Sequence, residues 1–88
     1  MNTPQMIKTL KTEKAYGTIH SEDLAILTVW EKIQQGVDED IAFIETQDGL
    51  GLSSVEFIVL IRSFTRLEKS GLLDVESGSS LSQSSQVN

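Results

Sequence analysis

The chain contains no cysteine in its 88 residues, which excludes a disulfide framework and any thiolate metal site. It has a single histidine, His20, so a multi-histidine metal centre is excluded and a histidine-based triad within one chain is disfavoured. Bases are scarce: 7 Lys and Arg stand against 13 Asp and Glu, for a net charge of −6. That balance argues against a general nucleic-acid binder, whose phosphate affinity rests on Lys and Arg. No apolar run approaches the ~20 residues that span a bilayer, and the start lacks the unbroken apolar stretch of a signal peptide. Size excludes more. A domain this small buries only about 60% of the surface its unfolded chain exposes, which leaves little room for a deep multi-substrate cleft. The expectation is a small, soluble, acidic, monomeric protein of the cytoplasm, with no catalytic residues and no metal.

What charge there is falls unevenly. Residues 1–14 carry Lys8, Lys11 and Lys14 against Glu13; residues 15–60 carry nine acids against Lys32 alone. From residue 61 onward three acids balance Arg62, Arg66 and Lys69. A run of acids is ordinarily a solvated face, and the alternative is a docking surface for basic partners.

Residues 1–76 read as a single helical domain and residues 77–88 as a disordered tail. The tail holds six serines and only two large apolar residues, Leu81 and Val87, too few to offset the entropy of ordering it. In the domain, a first helix is expected from Thr3-Pro4, with Thr3 as cap, a thin stripe of Met6, Ile7 and Leu10, and Gly17 as stop. A second starts at Ser21 as cap, with Glu22 and Asp23 near its positive end. Its stripe of Leu24, Ile26, Leu27, Trp30 and Ile33 makes Trp30 a core anchor, and Gly36 ends it.

Residues 37–52 read as a connecting loop pressed onto the core through Ile41, Phe43, Ile44, Leu50 and Leu52, with one short helical turn at most. The third helix follows. Ser53-Ser54-Val55-Glu56 fits a capping box, in which Ser53 accepts from the N–H three residues on and Glu56 reaches back to the Ser53 N–H. At about 100° per residue, Phe57, Ile58, Leu60, Ile61, Phe64 and Leu67 form a core face. Val55, Val59, Arg62 and Arg66 fall opposite. Gly71 ends the helix, and Leu72-Leu73 fold back under it.

Ser54 is the residue with chemical interest. With Ser53 as cap it takes the first helical position, where a phosphate group would meet free backbone N–H groups and the positive helix end. No neighbouring histidine or lysine activates it as a nucleophile, so the chemistry left to it is modification by another enzyme. By spacing alone it is a second polar residue at a helix start.

Leu50-Gly51-Leu52-Ser53-Ser54-Val55-Glu56-Phe57 resembles the phosphopantetheine-attachment motif of acyl carrier proteins, usually Leu-Gly-x-Asp-Ser-Leu. The resemblance extends upstream through an amphipathic helix, a Gly36-Val37-Asp38 stop, Glu39-Asp40-Ile41 and a long loop, and downstream to Arg66-Leu67-Glu68-Lys69. It implies an all-α small helical bundle of acyl-carrier type, here with an extra N-terminal helix. It implies 4'-phosphopantetheine, donated from coenzyme A by a phosphopantetheinyl transferase and held on Ser54 Oγ as a phosphodiester. The arm's thiol would carry acyl or aminoacyl thioesters among synthase enzymes, and the carrier would catalyse nothing. Val55, Val59, Arg62 and Arg66 would form the partner-docking face.

The chain departs from that pattern in three places. Ser53 replaces the usual aspartate, the docking face is apolar and basic where fatty-acid carriers are commonly acidic, and too little chain follows for the usual last helices. The basic face points toward polyketide or nonribosomal-peptide partners. Residues 4–15 are expected to pack in the seat of the missing last helix, against Phe57 and Phe64. His20-Ser21 resembles a second, peptide-carrier signal, but only 20 residues up to His20 precede Ser21, too few for the helix and loop required. A different class stays open: Gly51-Leu52-Ser53-Ser54 with Arg66-Leu67-Glu68-Lys69-Ser70-Gly71-Leu72-Leu73 resembles the recognition helix of a winged-helix DNA-binding domain. A helical protein-interaction module with no prosthetic group is the third option.

Overall fold

The computed structural model describes residues 3–73. The expected tail at residues 77–88 lies outside them. Four helices run in order: α1 (Gln5–Tyr16), α2 (Ser21–Gln34), α3 (Glu39–Leu50) and α4 (Ser54–Lys69). The described chain is therefore all-α, as the periodicity predicted.

The helix stops fall at the glycines. After α4, Gly71 N–H donates to Glu68 C=O at 3.1 Å and Leu72 N–H donates to Leu67 C=O at 3.0 Å. That pair of bonds is the Schellman closure, which satisfies carbonyls left orphaned at a helix end. The same pattern closes α1 at Gly17, α2 at Gly36 and α3 at Gly51. Beyond Gly71, Leu73 is buried but Leu72 is half exposed, so only one of the two leucines folds back.

The helix starts are less regular. Pro4, and not Thr3, occupies the cap position of α1, with no side-chain cap bond; its carbonyl accepts from Lys8 N–H at 3.1 Å. At α2 the cap position is His20, again without a side-chain bond, and Ser21 is the first helical residue. Glu22 and Asp23 in that first turn complement the helix dipole instead.

The main correction concerns residues 37–52. They are not a loop with a single turn: a helix of 12 residues occupies Glu39–Leu50. Its signal is hidden because its inward residues are mostly small or polar. Ala42, Phe43 and Thr46 are buried, whereas Ile41 and Ile44 point to solvent at 45% and 55% exposure. Asp38 holds the cap position and Glu39 and Asp40 the first turn, where negative charge stabilises a helix start.

The core is organised around α2, which packs on all three other helices. It buries Ala25, Ile26, Leu27, Val29, Trp30 and Ile33, each large side chain contributing about 1.5–3 kcal/mol on removal from water. From α1 come Ile7 and Leu10, with Lys11 Nζ 5.3 Å from the centre of the Trp30 ring. This is a cation–π contact that covers the indole. From α4 come Leu60 and Phe64; Phe64 meets Phe43 of α3 edge to face, centroids 5.4 Å apart and planes at 87°. α1 packs on α2 and its backbone does not approach α4. Ile7 and Leu10 share one core cluster with Phe64, with Phe57 packed against that cluster, so residues 4–15 reach this core from α2 and not as a helix laid along α4.

Candidate functional site

α3 and α4 are joined by three residues, Gly51-Leu52-Ser53, and fold back on one another. Phe43 meets Phe64 away from the turn, and at the far end the carboxyl groups of Glu39 and Glu68 are close neighbours. The turn depends on Gly51, whose φ of +67° lies in the left-handed region that costs a side-chain-bearing residue about 1–2 kcal/mol. Leu52 N–H then donates to Gln47 C=O at 3.0 Å and hands the chain to Ser53.

Ser53 starts α4 through a complete capping box. Glu56 N–H donates to Ser53 Oγ at 3.1 Å, and Ser53 N–H donates to Glu56 Oε1 at 2.8 Å. The expected box is therefore present, and it commits Glu56 to the backbone. Ser54 sits at the first helical position and is exposed. Its hydroxyl is open to solvent beside the helix start, a place that would accommodate a phosphate.

The face of α4 turned away from the core brings the expected residues together. Val55 is 71% exposed and Val59 38%, with Arg62 and Arg66 also exposed. Two more residues belong to it. Ile58, expected in the core, is 53% exposed, and Lys69 is exposed one turn beyond Arg66. Ile58 lies about 100° round the helix from Phe57, at the margin of the apolar arc, and periodicity alone cannot decide a marginal position. Lone exposed apolar residues are ordinary. Here three stand together on one turn and a half, followed by three bases.

No acid interrupts that stripe. The two acids of α4 are engaged elsewhere, Glu56 in the capping box and Glu68 against Glu39 of α3. Burial first, then the neighbouring Glu68 and Asp40 carboxylates, hold Glu39 above the usual carboxylate range. Arg66 and Lys69 also sit in the last turn, where bases complement the helix dipole.

Beside the stripe, α2 and α4 part to leave an open cleft of about 230 Å³. Ala25, Ile26, Leu52, Val55, Val59 and Leu60 line its apolar part. Ser21 and Glu22 stand at its rim, while His20 is an exposed residue at the head of α2. Among the described residues, no group of three or more His, Asp or Glu side chains is placed to hold a metal ion, and no helix is long and apolar enough to cross a membrane.

Compared with protein-family models, curated proteins and solved structures, the chain matches none of them.

Proposed function

We propose that this chain is a non-catalytic helical docking module, and that the outward face of α4 receives another protein. The observation that carries the reading is the stripe itself: Val55, Ile58 and Val59 exposed in sequence with Arg62, Arg66 and Lys69, on a helix whose two acids are turned aside. Desolvating such a stripe calls for a partner with apolar side chains at its centre and carboxylates around them, the amphipathic acidic helix being the simplest. Duplex DNA fits less well. The helix preceding α4 carries Asp40, Glu45 and Asp48 outward, where a DNA-reading pair of helices would cross the phosphate backbone.

The test is a titration of the isotopically labelled chain with a synthetic Leu/Glu-rich helical peptide, followed by amide chemical shifts. Changes are expected along Val55, Ile58, Val59, Arg62 and Arg66. Arg62→Glu with Arg66→Glu should weaken binding by about tenfold or more, since reversing charge across an interface opposes encounter and register. Shifts centred on any other helix, or larger shifts with duplex DNA, would refute the reading.

A second reading is supported by Ser54, exposed at the first position of a capped helix beside an apolar cleft. In it the module is an acyl carrier, with 4'-phosphopantetheine on Ser54 and the α4 face meeting the transferase and synthases. Ranked against it are the helix in place of the long loop before the motif and the hydroxyl of Ser53 where the family has a carboxylate. Intact mass after incubation with coenzyme A and a broad-specificity phosphopantetheinyl transferase separates the two. A gain of one arm, abolished by Ser54→Ala, establishes the carrier; an unchanged mass leaves the docking module.

A further inference from the structure

α4 is not the only helix with an unpartnered apolar face. On α3, Ile41 and Ile44 point outward at 45% and 55% exposure. Asp40, Glu45 and Asp48 surround them, all exposed. No lysine or arginine occurs between Glu39 and Leu50; the nearest base is Lys32 of α2, 3.3 Å from Glu45. The two faces are opposites of one another. One presents three apolar residues followed by three bases, the other two isoleucines ringed by three acids. Each belongs to a helix whose inner side already packs on the core, so the two cannot meet within one molecule.

We infer that the outward face of α4 docks on the outward face of α3 of a second copy of this chain. The inference rests on the docking reading of α4 and names the partner. Charge complementarity selects this pairing over the symmetric ones, because α4 on α4 would oppose Arg62, Arg66 and Lys69, and α3 on α3 would oppose Asp40, Glu45 and Asp48. Ile41 and Ile44 would cover Val55, Ile58 and Val59, removing all five from water. The contact is heterologous: every copy uses one face and leaves the other free, so association proceeds past the dimer to a ring or an open chain.

Sedimentation equilibrium of the full chain over a concentration series at low salt tests this. The weight-average mass is expected to rise with concentration beyond two copies. Raising salt from about 0.01 M to about 1 M shortens the screening length from roughly 30 Å to roughly 3 Å, and should weaken the association about tenfold. Two double variants of exposed residues then test the pairing, each checked for unchanged helicity by circular dichroism. Arg62→Glu/Arg66→Glu spoils the α4 face, and Ile44→Lys/Asp48→Lys spoils the α3 face. Each alone should be monomeric, while an equimolar mixture should associate, because one variant retains an intact α3 face and the other an intact α4 face. A wild-type chain monomeric throughout, or an Ile44→Lys/Asp48→Lys variant that associates like wild type, overturns the inference. In either case, binding of the Leu/Glu-rich peptide to α4 would leave the docking reading standing, so the two failures are distinguishable.

Discussion

Replacing Thr46 with valine should stabilise this protein. Thr46 lies inside α3 at 1% exposure, and its hydroxyl finds no hydrogen-bond partner among the described residues. Other helical threonines show what is missing. Thr9, Thr12 and Thr28 donate to the carbonyl four residues back at 3.2, 3.0 and 2.7 Å; Thr46 makes no such bond. A buried hydroxyl left unpaired costs about 1–3 kcal/mol. Valine has the same branched shape, nearly the same helix propensity, and a methyl in place of the oxygen. Taking the lower end, to allow for imperfect packing of that methyl, the gain is about 1 kcal/mol. For a domain of this size that corresponds to a rise of roughly 4–8 °C in the thermal midpoint. Thr46→Ser is the control: it keeps the unpaired hydroxyl, loses a buried methyl, and should destabilise by about 1 kcal/mol. Thermal melts followed by the far-ultraviolet circular dichroism of the helices measure both. A midpoint for Thr46→Val equal to or below wild type would show that the hydroxyl is satisfied, and the argument would fail.

Two adjacent serines should behave differently. Ser53→Ala removes the acceptor for Glu56 N–H and should cost about 1 kcal/mol in urea unfolding, whereas Ser53→Asp retains a cap. Ser54→Ala, at an exposed first position, should change stability by no more than about 0.5 kcal/mol. The Glu39–Glu68 pair supplies a pH signature. With its folded-state pKa raised above the unfolded value, Glu39 favours the folded state most at pH below the unfolded carboxylate range, and that contribution is lost as pH rises through the raised pKa. Glu68→Gln should therefore stabilise the chain at neutral pH by a few tenths of a kcal/mol, the scale of an exposed like-charge pair. The gain should shrink as pH falls and Glu39 takes up its proton; urea midpoints at neutral and acidic pH compare the two. A gain that persisted undiminished in acid would contradict this electrostatic origin.

Where a helix carries its own punctuation and a wide apolar arc, it was legible from residue order. α4 is the clearest case, since the reciprocal bonds of Ser53 and Glu56 are local and the arc of Leu60 and Phe64 is unambiguous. Gly17, Gly36 and Gly71 were legible as stops for the same local reason. α3 was not. Its buried side holds only one large apolar residue, Phe43, flanked by Ala42 and Thr46, while its two isoleucines face solvent. Reading burial from residue type inverts such a helix. The placement of α1 was equally hidden: a stripe of Ile7 and Leu10 says that a face is buried but not against which neighbour. For the candidate site, Val55, Val59, Arg62 and Arg66 share one face as expected. Ile58 escaped because the edge of an apolar arc is settled by what packs beside it, not by angle.

The position of α1 bears on how the molecule opens. α1 pairs with α2 and with no other helix, whereas α2 is held from three sides. Detaching α1 exposes Ile7, Leu10 and one side of the Trp30 indole, yet leaves every contact among α2, α3 and α4 in place. Protection of backbone amides against exchange with solvent deuterium should follow that hierarchy. α1 exchanges first through an opening of its own, and the middle of α2 exchanges only when the whole fold is lost.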